Sequence, residues 1–217
     1  TDYSRSIFDT AVFVASQAAK TSSSFFRVGV DVDFKSDASP VTIADKQIER
    51  DARDYLGKVF PGHAILGEEY GSGDLTNDHV WVIDPIDGTR SFISGNPLYG
   101  FLLAHMHKGQ CELGLVSMPE LKDLYLGQRG KGATLNGKTI RTSKKTKLAD
   151  AILYINEGEK LLQFEPAAIS SLIKVGHTRR FAYDCYPHAL VASGQIDAVV
   201  DYDLKPFDYL PLAGVIE

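Results

Sequence analysis

The stretch from Val80 to Phe92 combines two carboxylates, a proline and a glycine at the end of an apolar run. The apolar run predicts a fully buried strand. Asp84 and Asp87 follow it three residues apart, and their carboxylates would repel each other unless a cation lay between them. Such oxygen ligands suit Mg²⁺ or Ca²⁺, and Mg²⁺ is usual where phosphate is handled. Gly88 and Thr89 can open a helix whose free amides face an anion. The same residues also fit an acidic β-turn in which Thr89 only caps a helix.

Further acidic residues lie where other predicted strands and helices meet. Glu68 and Glu69 follow the short apolar strand 64–66, and Asp208 opens a final helix. Each has an ordinary explanation, as a loop acid or as a helix N-cap, and Asp45 is spaced like a helix-capping residue. Taken together, acids at three such junctions indicate a site, because ligands of α/β sheets gather at strand ends.

The segment 132–139 reads GATLNGKT and matches the phosphate-binding loop pattern G-x-x-x-x-G-K-[ST] letter for letter. That loop must lead into an amphipathic helix, whereas residues 140–145 have no apolar face. Asn136 and Gly137 instead predict a type I′ β-hairpin. We therefore reject a nucleotide-binding loop.

His105 and His107 alternate in a predicted strand, so they share a face and could bind a metal. A metal site needs at least three protein ligands, and no third candidate lies nearby in the sequence. We therefore expect both histidines to face solvent.

The composition limits the class of protein. A chain of 217 residues with 44% hydrophobic residues is long enough for one large domain or for two lobes that share a sheet. The net charge of −5 argues against a nucleic-acid-binding surface. Cys111 and Cys185 are the only cysteines and show no zinc-binding spacing. Because the sequence lacks a membrane-spanning segment and a secretory pattern, we expect a reduced, cytoplasmic protein.

The pattern of elements predicts an α/β protein. Apolar residues at helical spacing predict a first helix over 4–20, and Thr42 with Asp45 forms a capping pair for a second helix. Residues 99–140 are mostly β, and strands alternate with helices from Ala151 onward. We expect one layered domain, residues 1–217, with two lobes of about 1–145 and 146–217. The last helix should open at Asp208, with Pro211 in its first turn.

Four motifs resemble the inositol monophosphatase family of magnesium-dependent phosphatases. They are Ser39–Asp45, Gly67–Glu69, Trp81–Thr89 and Lys205–Asp208. Their order and spacing are specific and cover essentially the whole chain, although Phe207 stands where the family usually has tryptophan. The resemblance implies the layered αβαβα sandwich of the sugar phosphatases. The family continues past the last motif, so we expect further residues after Glu217.

The resemblance also implies roles for particular residues. The implied ligands of Mg²⁺ are Glu68, Asp84, the backbone carbonyl of Ile86, Asp87 and Asp208. A water would be activated near Glu68, Thr89 and Asp45, and the amides of Gly88 and Thr89 would bind phosphate. Paired divalent ions would clamp the attacking and leaving oxygens and acidify the water.

The residues after Thr89 favour one branch of the family. Residues 90–100, RSFISGNPLYG, resemble histidinol-phosphate phosphatases more than inositol phosphatases. Histidinol carries an ammonium and an imidazole, so Asp184 and Asp201 would offer it anionic partners. The alternative roles are a helix cap for Asp184 and a surface charge for Asp201.

Three functions therefore compete. The first is hydrolysis of histidinol phosphate, and the second is hydrolysis of inositol phosphate or another sugar phosphate. The third is a regulatory protein that contacts RNA or polymerase, which the acidic balance and the complete set of acids disfavour. We expect a small phosphorylated metabolite as the partner, no nucleic acid, no membrane, and a homodimer.

Overall fold

The computed structural model describes residues 2–29, 31–36 and 40–217. Val30 and the predicted turn residues 37–39, with Ser39 of the first motif, lie outside the described residues. The helices are α1 Asp2–Phe25, α2 Ile43–Val59, α3 Thr89–Ile93, α4 Gly158–Phe164, α5 Pro166–Leu172, α6 Tyr186–Ala192 and α7 Pro206–Ile216. The strands are β1 Val32–Phe34, β2 Pro40–Thr42, β3 Ala64–Gly67, β4 Gly71–Ser72, β5 His79–Asp87, β6 Gly100–His107, β7 Gln110–Met118, β8 Asp123–Gln128, β9 Gly132–Leu135, β10 Lys138–Ile140, β11 Ile152–Ile155, β12 Thr178–Phe181 and β13 Ala198–Val200.

Eight strands form the large sheet, in the order β10-β9-β8-β7-β6-β5-β3-β4. Adjacent strands in this sheet run antiparallel, except β3 and β5, which are parallel to each other. A smaller sheet has the order β12-β11-β13, with all its strands parallel, and β1 pairs antiparallel with β2. The long strands β5 and β6 lie in the interior of the large sheet, so β5 can present its C-terminal acids from a rigid base.

Helices cover both faces of the large sheet. Apolar residues of α1 and α2 pack on one face, against Trp81 and Ile83 of β5 and their neighbours. Residues of α6 and α7 pack on the other face, against Leu102 and Val116. The small sheet contacts α6 through β13, and α4 and α5 pack on it. This layering confirms the predicted αβαβα sandwich, whereas the division into lobes near residue 145 stays a prediction.

Several predicted boundaries were wrong. α1 continues to Phe25 rather than ending near residue 20, because Ser22 and Ser24 turn their hydroxyls back onto helix carbonyls and so tolerate helical backbone. α7 begins at Pro206, where a proline suits the first helical position, and not at Asp208. Pro211 consequently lies inside the helix rather than in its first turn. The seven-residue helix α4 was not predicted.

Residues 132–140 form a β-hairpin. Leu135 pairs with Lys138, and the two turn residues Asn136 and Gly137 have φ angles of 50° and 77°. Positive φ at both positions defines the type I′ turn. The hairpin prediction is confirmed, and the literal match to a nucleotide-binding loop carries no such function.

The prediction that both strand histidines face solvent was wrong for His105. Its side chain is only 2% exposed, because β6 lies inside the sheet and α1 covers this face. His107 is half-buried and stacks on His79 with ring centroids 4.4 Å apart. The fold brings His63 and His79 to His105, although they are distant in the sequence.

Candidate active site

A β-bulge in β5 brings its two aspartates to one edge of the sheet. Asp84 pairs with Leu102 and Asp87 with Gly100, so β5 contains one extra residue between these pairs. In a regular strand, residues three apart point to opposite faces. The extra residue cancels that alternation, as bulges do. The predicted turn after residue 83 is therefore a bulged continuation of the strand.

Asp208 completes an acidic cluster with these two residues. Carboxylate oxygens of Asp84, Asp87 and Asp208 all lie within 4.8 Å of one another. Asp208 stands in the first turn of α7, where its Oδ2 accepts a hydrogen bond from the backbone N–H of Lys205 at 2.6 Å. Oδ2 of Asp87 accepts one from the N–H of Cys185 at 2.5 Å. The carboxylates of Asp87 and Asp208 are thus each held through one oxygen.

The cluster has the chemistry of a site for a hard cation. Asp84 is 2% exposed, and its Oδ1 has no hydrogen-bond partner among the described residues. Burial, followed by the charges of Glu68, Asp87 and Asp208, raises the pKa of Asp84 well above its ordinary value. Buried, unpaired carboxylates are strongly unfavourable without a counter-ion. The donor set therefore fits a divalent cation with oxygen ligands, of which Mg²⁺ is one.

The turn that carries Glu68 is held by Glu49, a residue that the sequence reasoning missed. Glu49 is fully buried and accepts hydrogen bonds from the backbone N–H of Glu69 at 2.7 Å and from the side chain of Arg53 at 2.7 Å. A Cβ at Gly67 would lie 2.0 Å from Oε1 of Glu49, so the turn needs glycine there. The signal in the sequence was the spacing of Asp45, Glu49 and Arg53, four residues apart on one face of α2.

We expect Glu49→Gln to weaken catalysis without removing a proposed metal ligand. The amide keeps the size of the carboxylate but loses the charge that strengthens bonds to Arg53 and to the Glu69 amide. Charge-assisted bonds of this kind are each worth about 1.5–3 kcal/mol, so kcat/KM should fall about tenfold or more. Steady-state kinetics measure the change, and Asp54→Asn, an exposed acid on the same helix, is the matched control. Equal activity of Glu49→Gln and wild type would contradict this role.

Lys35 is a second residue that the sequence reasoning missed. Its Nζ lies 2.7 Å from Oε1 of Glu68 and 2.7 Å from Oε1 of Glu69. Burial alone would lower the pKa of Lys35, but the hydrogen bonds to both glutamates outweigh it and raise the pKa. Burial also raises the pKa of Glu69 to about 7. The ammonium of Lys35 thus supplies positive charge at the edge of the acidic cluster.

Asp45 and Thr89 form a hydrogen-bonded pair. The Thr89 hydroxyl lies 3.1 Å from Oδ1 of Asp45 and 3.1 Å from the carbonyl oxygen of Ile86. Oδ2 of Asp45 accepts hydrogen bonds from the backbone N–H and the hydroxyl of Thr42, at 2.8 and 2.5 Å, which confirms the predicted capping pair. Burial raises the pKa of Asp45 against the lowering effect of these bonds.

Asp184 packs against the turn that leads into α3. Gly88 has φ 86°, and a Cβ there would lie 2.6 Å from Cγ of Asp184. Oδ2 of Asp184 accepts a hydrogen bond from Ser91 Oγ at 2.5 Å. Burial raises the pKa of Asp184 to about 6, although the bond from Ser91 lowers it. The alternative role as a helix cap was wrong, because Cys185 is the N-cap of α6.

The side chain of Asp201 is only 7% exposed, so the alternative role as a surface charge was also wrong. Its Oδ2 accepts hydrogen bonds from Nδ2 of Asn156 and pairs with Nε2 of His188, each at 2.8 Å. Its Oδ1 accepts one from the N–H of Tyr202 at 2.8 Å. β13 ends one residue before Asp201, so the carboxylate stands at the carboxyl edge of the small sheet.

A cleft joins these residues to the acidic cluster. It has a volume of about 110 Å³. The acids, lysine and histidine of its wall are Asp87, Glu157, Lys160, Asp184, His188, Asp201, Asp203 and Asp208. Lys160 lies 3.4 Å from Glu157 and 3.6 Å from Asp203, so it offsets only part of the negative charge. The cleft is therefore suited to a cationic group next to the cluster.

Comparisons with known proteins show which family the chain belongs to. The family model described as the inositol monophosphatase family matches residues 4–217. A bifunctional phosphatase of Arabidopsis thaliana named IMPL2, chloroplastic, is 41% identical over 195 residues, which are 89% of this chain and 56% of that protein. A histidinol-phosphatase of Chlorobaculum parvum is 36% identical over 95% of this chain and 81% of its own length.

A solved structure of an IMPase/NADP phosphatase complexed with Mg²⁺ and phosphate superposes with a TM-score of 0.85 at 27% identity, covering 98% of this chain and 82% of that one. None of the helices in the described ranges has the length and apolarity needed to cross a membrane. The chain belongs to the inositol monophosphatase family of metal-dependent phosphatases, and is an enzyme that hydrolyses phosphomonoesters of small molecules.

Proposed function

We propose that this chain is a magnesium-dependent phosphatase that hydrolyses histidinol phosphate to histidinol and phosphate. The observation that carries the proposal is the cluster of Asp84, Asp87 and Asp208 directly beside a cleft with an excess of carboxylates. The first feature suits the phosphate end of the substrate, and the second suits a cationic organic end. The histidinol-phosphatase relative, 36% identical, supports the same substrate.

The residues that would hold the metal are those of the acidic cluster with their neighbours. They are Glu68, Asp84, the carbonyl oxygen of Ile86, Asp87 and Asp208. When bound, magnesium supplies positive charge to the phosphate oxygens and makes water more acidic at neutral pH. The bulge in β5 and the bonds to Asp87 and Asp208 hold the carboxylates in place before binding, which is the pre-organisation that such a site requires.

Asp45 and Thr89 are proposed to orient the attacking water and to receive its proton. The Thr89 hydroxyl can donate its hydrogen to Oδ1 of Asp45, 3.1 Å away, and this leaves its lone pairs free to accept a hydrogen from water. Thr42 fixes the other oxygen of Asp45, so the pair cannot swing apart. Glu68, next to the cluster, completes this set of proton acceptors.

The backbone amides of Gly88 and Thr89 are proposed to bind the phosphate oxygens. The left-handed conformation of Gly88 sets the start of α3, and the Cβ of any other residue would collide with Asp184. The water oxygen forms a bond to phosphorus while the ester P–O bond breaks. The water proton passes to the Thr89 hydroxyl as that hydroxyl gives its own proton to Asp45. The departing alkoxide takes a proton from solvent.

We expect Asp184→Asn to lower kcat/KM for histidinol phosphate by about one to two orders of magnitude, since one charge-assisted hydrogen bond is worth about 1.5–3 kcal/mol. Asparagine tolerates the left-handed backbone that Asp184 adopts, at φ 61°, so the fold should survive. Asp201→Asn should have a smaller effect, because both oxygens of Asp201 already accept hydrogen bonds from the protein. The measurement is phosphate release with and without Mg²⁺, and glycerol phosphate, whose alcohol part carries no charge, is the comparison substrate.

Two outcomes would change the assignment. Equal losses on histidinol phosphate and glycerol phosphate would mean that Asp184 serves the fold or the metal site. Faster turnover of inositol phosphate than of histidinol phosphate by the wild type would favour the second candidate substrate. The homodimer and the cytoplasmic location stay predictions.

A further inference from the structure

A cluster of histidines lies at the opposite end of β5 from the acids. His63 directly precedes β3, and His79 is the first residue of β5. His105, on the neighbouring strand β6, pairs with Trp81 of β5. One ring nitrogen from each histidine lies within 4.8 Å of the other two. His79 is five residues before Asp84, or about 16 Å along the strand, so the cluster is separate from the active site.

Several contacts in this cluster are close to the spacing of ligand atoms around one ion. The Tyr3 hydroxyl lies 2.9 Å from Nε2 of His63 and 3.4 Å from Nδ1 of His79. Nδ1 of His79 lies 3.3 Å from Nε2 of His105. With Zn–N bonds of about 2.0–2.1 Å, neighbouring ligand atoms of a tetrahedral site lie about 3.3 Å apart. Three of the distances among these three nitrogens and the hydroxyl oxygen are therefore close to ligand spacing.

The imidazoles are in the protonation state that binds metals. Burial and the neighbouring histidines lower the pKa of His105 to about 3 and that of His63 to about 4, and the pKa of His79 is also lowered, mainly by burial. All three are thus neutral at neutral pH, as metal ligands must be. Nδ1 of His105 is buried and has no hydrogen-bond partner in the described part of the chain. The proton of His105 can occupy Nδ1 without displacing a hydrogen bond at that atom, and coordination through Nε2 then replaces the contact with Nδ1 of His79.

His63 links the cluster to the only tryptophan of the chain. Its Nδ1 accepts a hydrogen bond from Nε1 of Trp81 at 3.0 Å, and its ring stacks on those of Phe60 and His79, each at 4.6 Å. Coordination through Nε2 requires the proton on Nδ1, so it breaks the bond from Trp81. The rings of His63 and His79 are only 11° from parallel, and those of His79 and His105 only 17°, so the rings must also turn to share one ion. Metal binding therefore changes the surroundings of Trp81.

We propose that His63, His79 and His105 form a binding site for a divalent transition-metal ion of the zinc class, distinct from the catalytic acids. Imidazole ligands suit Zn²⁺, Cu²⁺ and Ni²⁺, whereas carboxylates and carbonyls suit Mg²⁺. The two ends of β5 thus select different metals. An ion at the histidines would clamp the turn before β3 to the edge of β5 and β6, on the face that α1 covers.

The test follows Trp81 emission while Zn²⁺ alone is added to the wild type and to Asp84→Asn, in which the acidic site is weakened. We expect a saturable change with one ion per chain in both proteins, and no change with Mg²⁺. His79→Gln and His105→Gln should weaken Zn²⁺ binding by roughly tenfold or more. His107→Gln is the matched control, because His107 stacks on His79 without belonging to the converging set, and its affinity should equal that of the wild type.

Because His105 is buried, His105→Gln can fail to fold, and His79→Gln at a half-buried position then carries the test. Circular dichroism establishes that each variant is folded. A folded His79→Gln that binds Zn²⁺ as tightly as the wild type overturns the proposal. So does an absence of any change in Trp81 emission into the high-micromolar range of Zn²⁺.

Discussion

Asp84→Asn is expected to reduce kcat/KM by about a thousandfold or more, because loss of one pre-organised electrostatic group at a reacting phosphate removes about 4 kcal/mol of transition-state stabilisation. Asp84 is the most buried acid of the cluster, and its Oδ1 has no partner among the described residues, so its charge is available for a cation. Asparagine has nearly the same shape but one charge less. Steady-state kinetics over a range of Mg²⁺ concentrations give the size of the loss, and excess Mg²⁺ should not restore it.

The same substitution should not destabilise the metal-free protein. The pKa of Asp84 is raised by burial and by the charges of its neighbours, so the ionised form opposes folding above the ordinary pKa range of an aspartate. A neutral amide removes that repulsion. The melting temperature of Asp84→Asn in a chelator should therefore equal or exceed that of the wild type. Asp78→Asn, an exposed acid just before β5, is the control. A large drop in melting temperature would mean that Asp84 supports the fold, and near-normal activity would remove it from the proposed site.

The sequence was sufficient to predict the acidic site residues that follow a local pattern. Asp84 and Asp87 stand at the end of an obvious buried strand, and Thr42 with Asp45 has the spacing of a capping pair. The bulge that turns Asp84 and Asp87 to the same side could not be predicted, because it exists only relative to the register of β6. The start of α7 was misplaced by two residues. The prediction began the helix at Asp208, which put Pro211 in the first turn, whereas Pro206 occupies that turn in the structure.

The residues that support the site from a distance were missed for a different reason. Glu49 contacts the Glu68 turn across 20 positions of sequence, and Lys35 contacts it across 33. A charged residue in a helix or loop normally indicates a solvated surface. Only the three-dimensional structure shows that Glu49 is fully buried. The histidine cluster was missed in the same way, since its members come from three separate segments.

Three glycines allow α7 to lie directly on the large sheet, and α7 carries Asp208. A Cβ at Gly114 would lie 2.4 Å from the carbonyl oxygen of Pro211 and 2.7 Å from Cα of Gly214. A Cβ at Gly127 would lie 2.1 Å from the carbonyl oxygen of Gly214. These neighbours are backbone atoms, so they cannot rotate away as a side chain could. A larger residue must push the helix off the sheet, which also moves Asp208 relative to the two aspartates of β5.

Gly114→Ala is therefore expected to affect both stability and catalysis. Forced overpacking typically lowers the free energy of unfolding by about 1–3 kcal/mol, and a clash with backbone lies at the upper end of that range or beyond. For a chain of this size, a loss of about 3 kcal/mol lowers the melting temperature by roughly 6–12 °C. kcat/KM at limiting Mg²⁺ should fall at least about tenfold, because metal-site geometry tolerates little displacement. Gly57→Ala is the matched control, since Gly57 lies in α2 with open space around its Cα, and alanine should slightly stabilise that helix. If Gly114→Ala is destabilised but keeps the Mg²⁺ dependence of the wild type, the close packing of α7 serves the fold alone. If Gly114→Ala melts at the wild-type temperature, α7 can move away from the sheet at no cost in stability, and the proposed need for glycine at position 114 is wrong.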